Sequence, residues 1–143
     1  MITKEIFTAA AKDILSDNLF VIDEKKSVFY DEVSFGSSYI YVLSREEIAV
    51  MFMNERGDVA WCQIGYKKPN YFIEDVFKYL NIPNVKKTDD FLEMVQISSE
   101  AIAKNKDKIF EAFNTSNREI TISKLNEIVE MNKKQMIEKF SKK

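Results

Sequence analysis

Residues 38–80 read SYIYVLSREEIAVMFMNERGDVAWCQIGYKKPNYFIEDVFKYL, and in order they spell strand, turn, strand, turn, strand and helix. In residues 48–53, Ile48, Val50 and Phe52 fall on one face and Ala49, Met51 and Met53 on the other, because strand side chains alternate with period two. Both faces are apolar. That pattern belongs to a strand inside a sheet covered on both sides, or covered on one side with the second closed by helices or a partner. Arg45-Glu46-Glu47 makes the first turn, and Asn54-Glu55-Arg56-Gly57 places Gly57 where a hairpin loop commonly takes a positive φ. Strands at 39–43, 48–53 and 58–64 are therefore expected to form an antiparallel meander. Trp61 shares a strand face with Val59 and is expected to be buried, so that truncation to alanine would cost about 3–5 kcal/mol.

Upstream, residues 3–18 carry Ile6, Ala10 and Ile14 at fourfold spacing, with Thr3 as N-cap and Glu5 in the first turn. This predicts an amphipathic helix. Two further strands are expected at 19–22 and 27–35 around the charged turn Asp23-Glu24-Lys25-Lys26, the second containing Asp31 and Glu32 as an edge strand would. Downstream, a short helix over 72–80 stops at Asn81-Ile82-Pro83, since proline disfavours helix in the residue before it. Thr88, ahead of Asp89 and Asp90, is expected to cap a helix marked by Leu92, Val95, Ile102, Ile109 and Phe113. After a loop at 114–117, Leu125, Ile128, Val129, Met136 and Phe140 mark the last helix. The expected fold is one α+β domain over residues 1–143, with an N-terminal helix, an antiparallel sheet of four or five strands, and C-terminal helices. A chain of 143 residues, 45% hydrophobic, can bury one core, and three glycines with two prolines leave little room for linkers.

No basic segment followed by an apolar core opens the chain, and no apolar run approaches the ~20 residues of a membrane span. A soluble, cytoplasmic protein with no membrane partner is expected. The one cysteine, Cys62, has no intramolecular disulfide partner and no cationic neighbour to stabilise a thiolate, which predicts a buried strand thiol. Histidine is absent, which excludes the commonest general base, the commonest metal ligand and every Ser/His or Cys/His nucleophile pair. Asp31-Glu32, Glu46-Glu47, Glu74-Asp75 and Asp89-Asp90 remain as adjacent acids. Neighbours in a strand point to opposite faces, and acids at a helix start have a capping role, so none makes an acid and base dyad. No Walker loop, GxGxxG, CxxC or calcium loop is present, so the reading is a chain without catalytic residues, cofactor or metal. Tyr39, Tyr41, Trp61, Tyr66, Tyr71 and Phe72 could line a pocket, but aromatics at strand positions are more often core.

Charge is divided unevenly along the chain. Residues 1–66 hold eleven acids and six bases, residues 67–143 twelve acids and fifteen bases, and the two balances of −5 and +3 give the net −2. An acidic front half steers a basic partner by long-range attraction. Asp23, Glu24, Asp31, Glu32, Glu46, Glu47 and Asp58, at turns and strand edges, form the expected pool of partner contacts. The lysines of the last helix suit the negative end of a helix dipole, and an acidic chain is not expected to bind nucleic acid.

The run MFMNERGDVAWCQIGYKKPNYFIEDVFKYL, residues 51–80, resembles a pattern among small bacterial immunity proteins of polymorphic toxin and contact-dependent inhibition systems: an apolar strand, an RG turn, a strand ending in IG, an aromatic, then a short DV helix. The resemblance spans roughly residues 38–80. It implies a cytoplasmic inhibitor that holds one cognate toxin domain in a tight complex, with an acidic surface facing a basic nuclease. The runner-up is a type III secretion chaperone, which small acidic α/β proteins with this element order also resemble and which binds an extended effector segment as a homodimer. A third reading is a small-ligand enzyme or sensor using Glu46, Glu47 and the aromatics.

Overall fold

The computed structural model describes residues 2–29, 36–56 and 59–141. Five strands, β1 (Phe20–Ile22), β2 (Ser38–Ser44), β3 (Ile48–Glu55), β4 (Val59–Tyr66) and β5 (Tyr71–Phe72), form one antiparallel sheet in chain order. The meander expected from residues 38–80 is its centre, with Tyr39, Met53 and Trp61 in one cross-strand row and Tyr41, Met51 and Gln63 in the next. Helices α1 (Lys4–Ala10) and α2 (Lys12–Leu15) precede the sheet. After it come α3 (Ile73–Tyr79), α4 (Phe91–Lys104), α5 (Lys106–Ala112) and α6 (Arg118–Ser141). The chain is thus α+β, with helices before and after an antiparallel sheet.

One face of the sheet supplies the core. Phe20, Ile40, Val42, Ile48, Val50, Phe52, Cys62 and Ile64 cluster with Phe7, Ile14, Val76, Phe77, Val95, Ile102, Ile109 and Leu125, so every helix contributes to the same side. Phe52 meets the ring of Phe7 edge to face, with centroids 5.5 Å apart. Ala49 and Met51 are buried too, but lie outside that cluster on the opposite face.

Several local expectations hold in detail. The Thr3 hydroxyl accepts the Ile6 N–H, with Glu5 in the first turn. The turn after Ser44 is closed by its carbonyl and hydroxyl, which accept the Glu47 and Ile48 N–H groups, and Glu47 takes φ 63°.

Others are corrected. The N-terminal helix buries Phe7, Ala11 and Ile14 while Ile6 is exposed, because the larger ring at Phe7 takes the core side; it also breaks at Ala11. Asp90, not Thr88, is the N-cap of α4, accepting the Glu93 N–H at 2.8 Å, and Thr88 instead accepts the Asp90 N–H. The helix expected to run on to Phe113 breaks at Asn105, whose side-chain amide donates to the Ala101 carbonyl. In α6 only Thr121 and Leu125 are buried, whereas Met136 and Phe140 are 62% exposed.

Trp61 is half-buried rather than buried, since it lies with Val59 on the face outside the core cluster. Its truncation therefore removes less core than expected. The strand expected at 27–35 is represented by a single bridge from Val28 to Tyr39, and residues 30–35 lie outside those described. Gly57, expected at a positive φ, also lies outside them; in the same turn Arg56 takes φ 53°.

Candidate functional site

The second face of the sheet carries Val21, Tyr39, Tyr41, Leu43, Ala49, Met51, Met53, Val59 and Trp61, none of which belongs to the core cluster, and at its Val59 and Trp61 end it borders a cavity shared with Asn132 and Met136 of α6. Val21 is 57% exposed and Val59 45%. Aromatic and methionine side chains in cross-strand rows on an open face are more than scattered surface apolar residues. The rows are held internally, for Trp61 donates its indole N–H to Gln63 Oε1 at 3.2 Å, two residues along the same face.

Toward one end this face deepens into a cleft of about 570 Å³ floored by Tyr41, Leu43, Ala49 and Met51. Two turns bracket it from opposite edges. On the β1 side the Asp23 carboxylate accepts the Lys26 N–H, the Asp23 N–H donates to the Tyr41 carbonyl, and Ser27 Oγ accepts the Tyr41 N–H at 3.0 Å. On the β4 side Lys67, at φ 62°, donates its N–H to the Glu47 carbonyl, and Lys68 and Asn70 close a tight turn onto the Tyr66 and Lys68 carbonyls. That turn folds over Gly65 so closely that a Cβ there would stand 2.2 Å from the Lys68 carbonyl oxygen. The glycine of the IG pair is there for space.

The acids expected at a partner surface are spread rather than gathered. Asp23 lines the cleft. Glu24 pairs with Lys4, and the Glu47 carboxylate accepts the Tyr66 hydroxyl at 2.8 Å, where the Tyr66 ring is stacked under the Arg118 guanidinium on the helix side. Glu46 is exposed in the β2–β3 turn. Asp31, Glu32 and Asp58 lie outside the described residues. Lys67 and Lys68, in the KKPN turn, line the cleft with Lys26 of the Asp23–Lys26 turn, positions to which the acidic balance of residues 1–66 gives no pointer.

Of the other aromatics, Tyr71 is core and donates its hydroxyl to Asn126 Oδ1 at 2.7 Å, while Phe72 is 48% exposed. Among the described residues no group of three or more Cys, Asp or Glu side chains is placed to hold a metal ion, and no helix is long and apolar enough to cross a membrane.

Cys62 and Tyr71 titrate unusually. Burial, and then the Glu74 carboxylate, push the Cys62 thiol well above its ordinary range against a hydrogen bond with Ser98, and burial raises the Tyr71 phenol. Both stay protonated in the folded chain at pH values where the unfolded thiol (about 8.5) and phenol (about 10) ionise. The unfolded state then binds fewer protons, so stability is level below about pH 8 and falls as pH rises. Cys62 alone contributes a loss of up to about 1.4 kcal/mol per pH unit above its unfolded pKa. Urea unfolding between neutral pH and about pH 10 should show this decline, and Cys62→Ala should flatten its first part. An equal slope in that variant would mean the thiol is not the source.

The chain matches no protein-family model, no curated protein and no solved structure.

Proposed function

We propose that this chain is a non-catalytic binding protein whose partner seats on the open sheet face, and that its role is immunity: neutralising a cognate toxin domain by tight complex formation. The observation that carries the binding reading is the half-exposed row of Tyr39, Met53 and Trp61, with Tyr41 beside it, on the face outside the core cluster. Tyrosine, tryptophan and methionine are enriched in the centres of protein interfaces, and a few such anchors supply most of the binding energy. The immunity role rests on the resemblance of residues 51–80. It is tested by co-expression with the toxin gene expected beside its own. The wild-type chain should restore growth, and Tyr39→Ala/Trp61→Ala, with an unchanged circular dichroism spectrum, should weaken the purified complex by about 30-fold or more, the loss of one strong hot spot. Full protection and unchanged affinity in that variant would remove the sheet face as the binding surface.

One observation favours the chaperone reading. β5 runs beside only Gln63 and Ile64, so residues 59–62 of β4 form an edge with no neighbouring strand among the described residues. An extended segment can add to such an edge. Binding of an unfolded effector segment by a dimer of this chain, with no affinity for a folded domain, would decide for it.

A further inference from the structure

The chain as a whole is acidic, yet the cleft on the open sheet face is not. Among the described residues Lys26, Lys67 and Lys68 line it with Asp23 as the one carboxylate, and none of the three lysines forms an ion pair, although the Lys67 ammonium lies over the Tyr66 ring, 5.5 Å from its centroid. We propose that this cleft receives an acidic segment of the partner protein, whose carboxylates meet Lys26, Lys67 and Lys68 while its apolar side chains rest on Tyr41, Leu43 and Met51. The inference rests on the protein-binding reading above and adds the partner's chemistry to it.

Three features make this surface selective for that occupant. First, the lysines stand on fixed backbone. Lys67 and Lys68 belong to the turn pinned to the Glu47 carbonyl and stacked on Gly65, and Lys26 to the turn pinned to Tyr41 through Asp23 and Ser27. Charges presented on ordered turns lose less backbone freedom on binding than charges on a mobile tail. Second, the acid whose backbone carbonyl holds the Lys67 N–H has its carboxylate engaged elsewhere. Glu47 directs its carboxylate to the Tyr66 hydroxyl, and Tyr66 is on the helix side of the sheet under Arg118. The Asp23 carboxylate, for its part, accepts the Lys26 backbone N–H and leaves the ammonium group unpaired. Third, the floor is apolar, so a purely ionic ligand would leave it wet whereas a segment with alternating acidic and large apolar side chains satisfies both. The sign is opposite to the one that net charge suggests, because two turns from opposite sheet edges bring their lysines to one cleft.

The test uses the full chain and two labelled peptides, one alternating glutamate with leucine and one with lysine in place of every glutamate, followed by fluorescence anisotropy. The acidic peptide should bind at least about tenfold more tightly than the basic one, and its affinity should fall as salt is raised past the point where the Debye length is about 8 Å. Lys26→Glu/Lys67→Glu/Lys68→Glu should lose that binding by about tenfold or more, while Lys124→Glu/Lys133→Glu/Lys134→Glu on α6 should not. If the triple reversal at the cleft does not fold, Lys67→Gln/Lys68→Gln removes charge without adding repulsion and should give a smaller loss in the same direction. Equal affinity for the two peptides, no binding of the acidic one, or equal loss from the α6 control overturns the inference. With a toxin in hand the two readings separate. A complex broken by Tyr39→Ala/Trp61→Ala but indifferent to the cleft lysines, or slowed instead by reversing Glu46 and Glu47 to lysine, leaves the binding face standing and refutes the acidic partner.

Discussion

Phe52→Ala should lower the stability of this protein by about 3–5 kcal/mol, enough to leave a domain of ordinary stability largely unfolded at physiological temperature. Phe52 has no exposed surface and is in the middle strand of the five, facing the helices. Its ring meets Phe7 of α1 edge to face, and Phe7 in turn meets Phe29 at 6.3 Å, so removing it loses both transfer energy and the aromatic contacts that tie the N-terminal helix to the sheet. The sheet and helices around the site belong to one packed cluster and cannot collapse into the gap without breaking the strand register. Denaturant unfolding measures the effect, with Phe52→Leu as the milder companion. A loss under about 1 kcal/mol for the alanine variant would mean that the α1–β3 contact is drawn wrongly.

Gly65→Ala should be the most damaging single-methyl change on the open face, costing about 3 kcal/mol, at the upper end of what overpacking produces. Most added methyl groups meet side chains that can rotate away. Here the nearest atom is a backbone oxygen, Lys68 O at 2.2 Å, with the Asn70 nitrogen at 3.0 Å behind it, so the 67–70 turn must lift from the strand. Lifting it strains the Lys67 N–H bond to the Glu47 carbonyl and the short turn bonds of Lys68 and Asn70. The variant should therefore lose both stability and any binding that depends on Lys67 and Lys68, whereas Ala49→Gly, across the register from Gly65, should leave the turn in place. Thermal unfolding and the anisotropy measurement report the two losses. A stable Gly65→Ala protein with full peptide affinity would show that the turn does not fold onto the strand.

Much of this architecture was legible in residues 38–80. Period-two alternation, the Arg45-Glu46-Glu47 turn and the Asn54–Gly57 loop prescribe three adjacent antiparallel strands, and adjacent strands joined by short turns have almost no alternative pairing. The complete lack of histidine, equally, set limits on chemistry before any fold was known. Helix breaks were not legible. Ala11 and Asn105 lie inside continuous apolar periodicity, which carries no break signal, and the helices end there all the same.

What the sequence determined by itself was the set of strands, their order and the two apolar faces of the central one. Which face becomes core was decided only by tertiary structure. Ile48, Val50 and Phe52 are the more hydrophobic set, but Ala49, Met51 and Met53 are apolar too, and period two alone assigns neither face to the helices. The core cluster gathers on the side of the first set, which leaves Tyr39, Met53 and Trp61 on the other face and makes Trp61 a half-buried residue instead of a core one. The same is true of the lysine cleft. Lys26 is far from Lys67 and Lys68 in the chain, and only the antiparallel order β1 to β4, with Gly65 allowing a turn to lie on the strand, brings the two turns that carry them to one cleft.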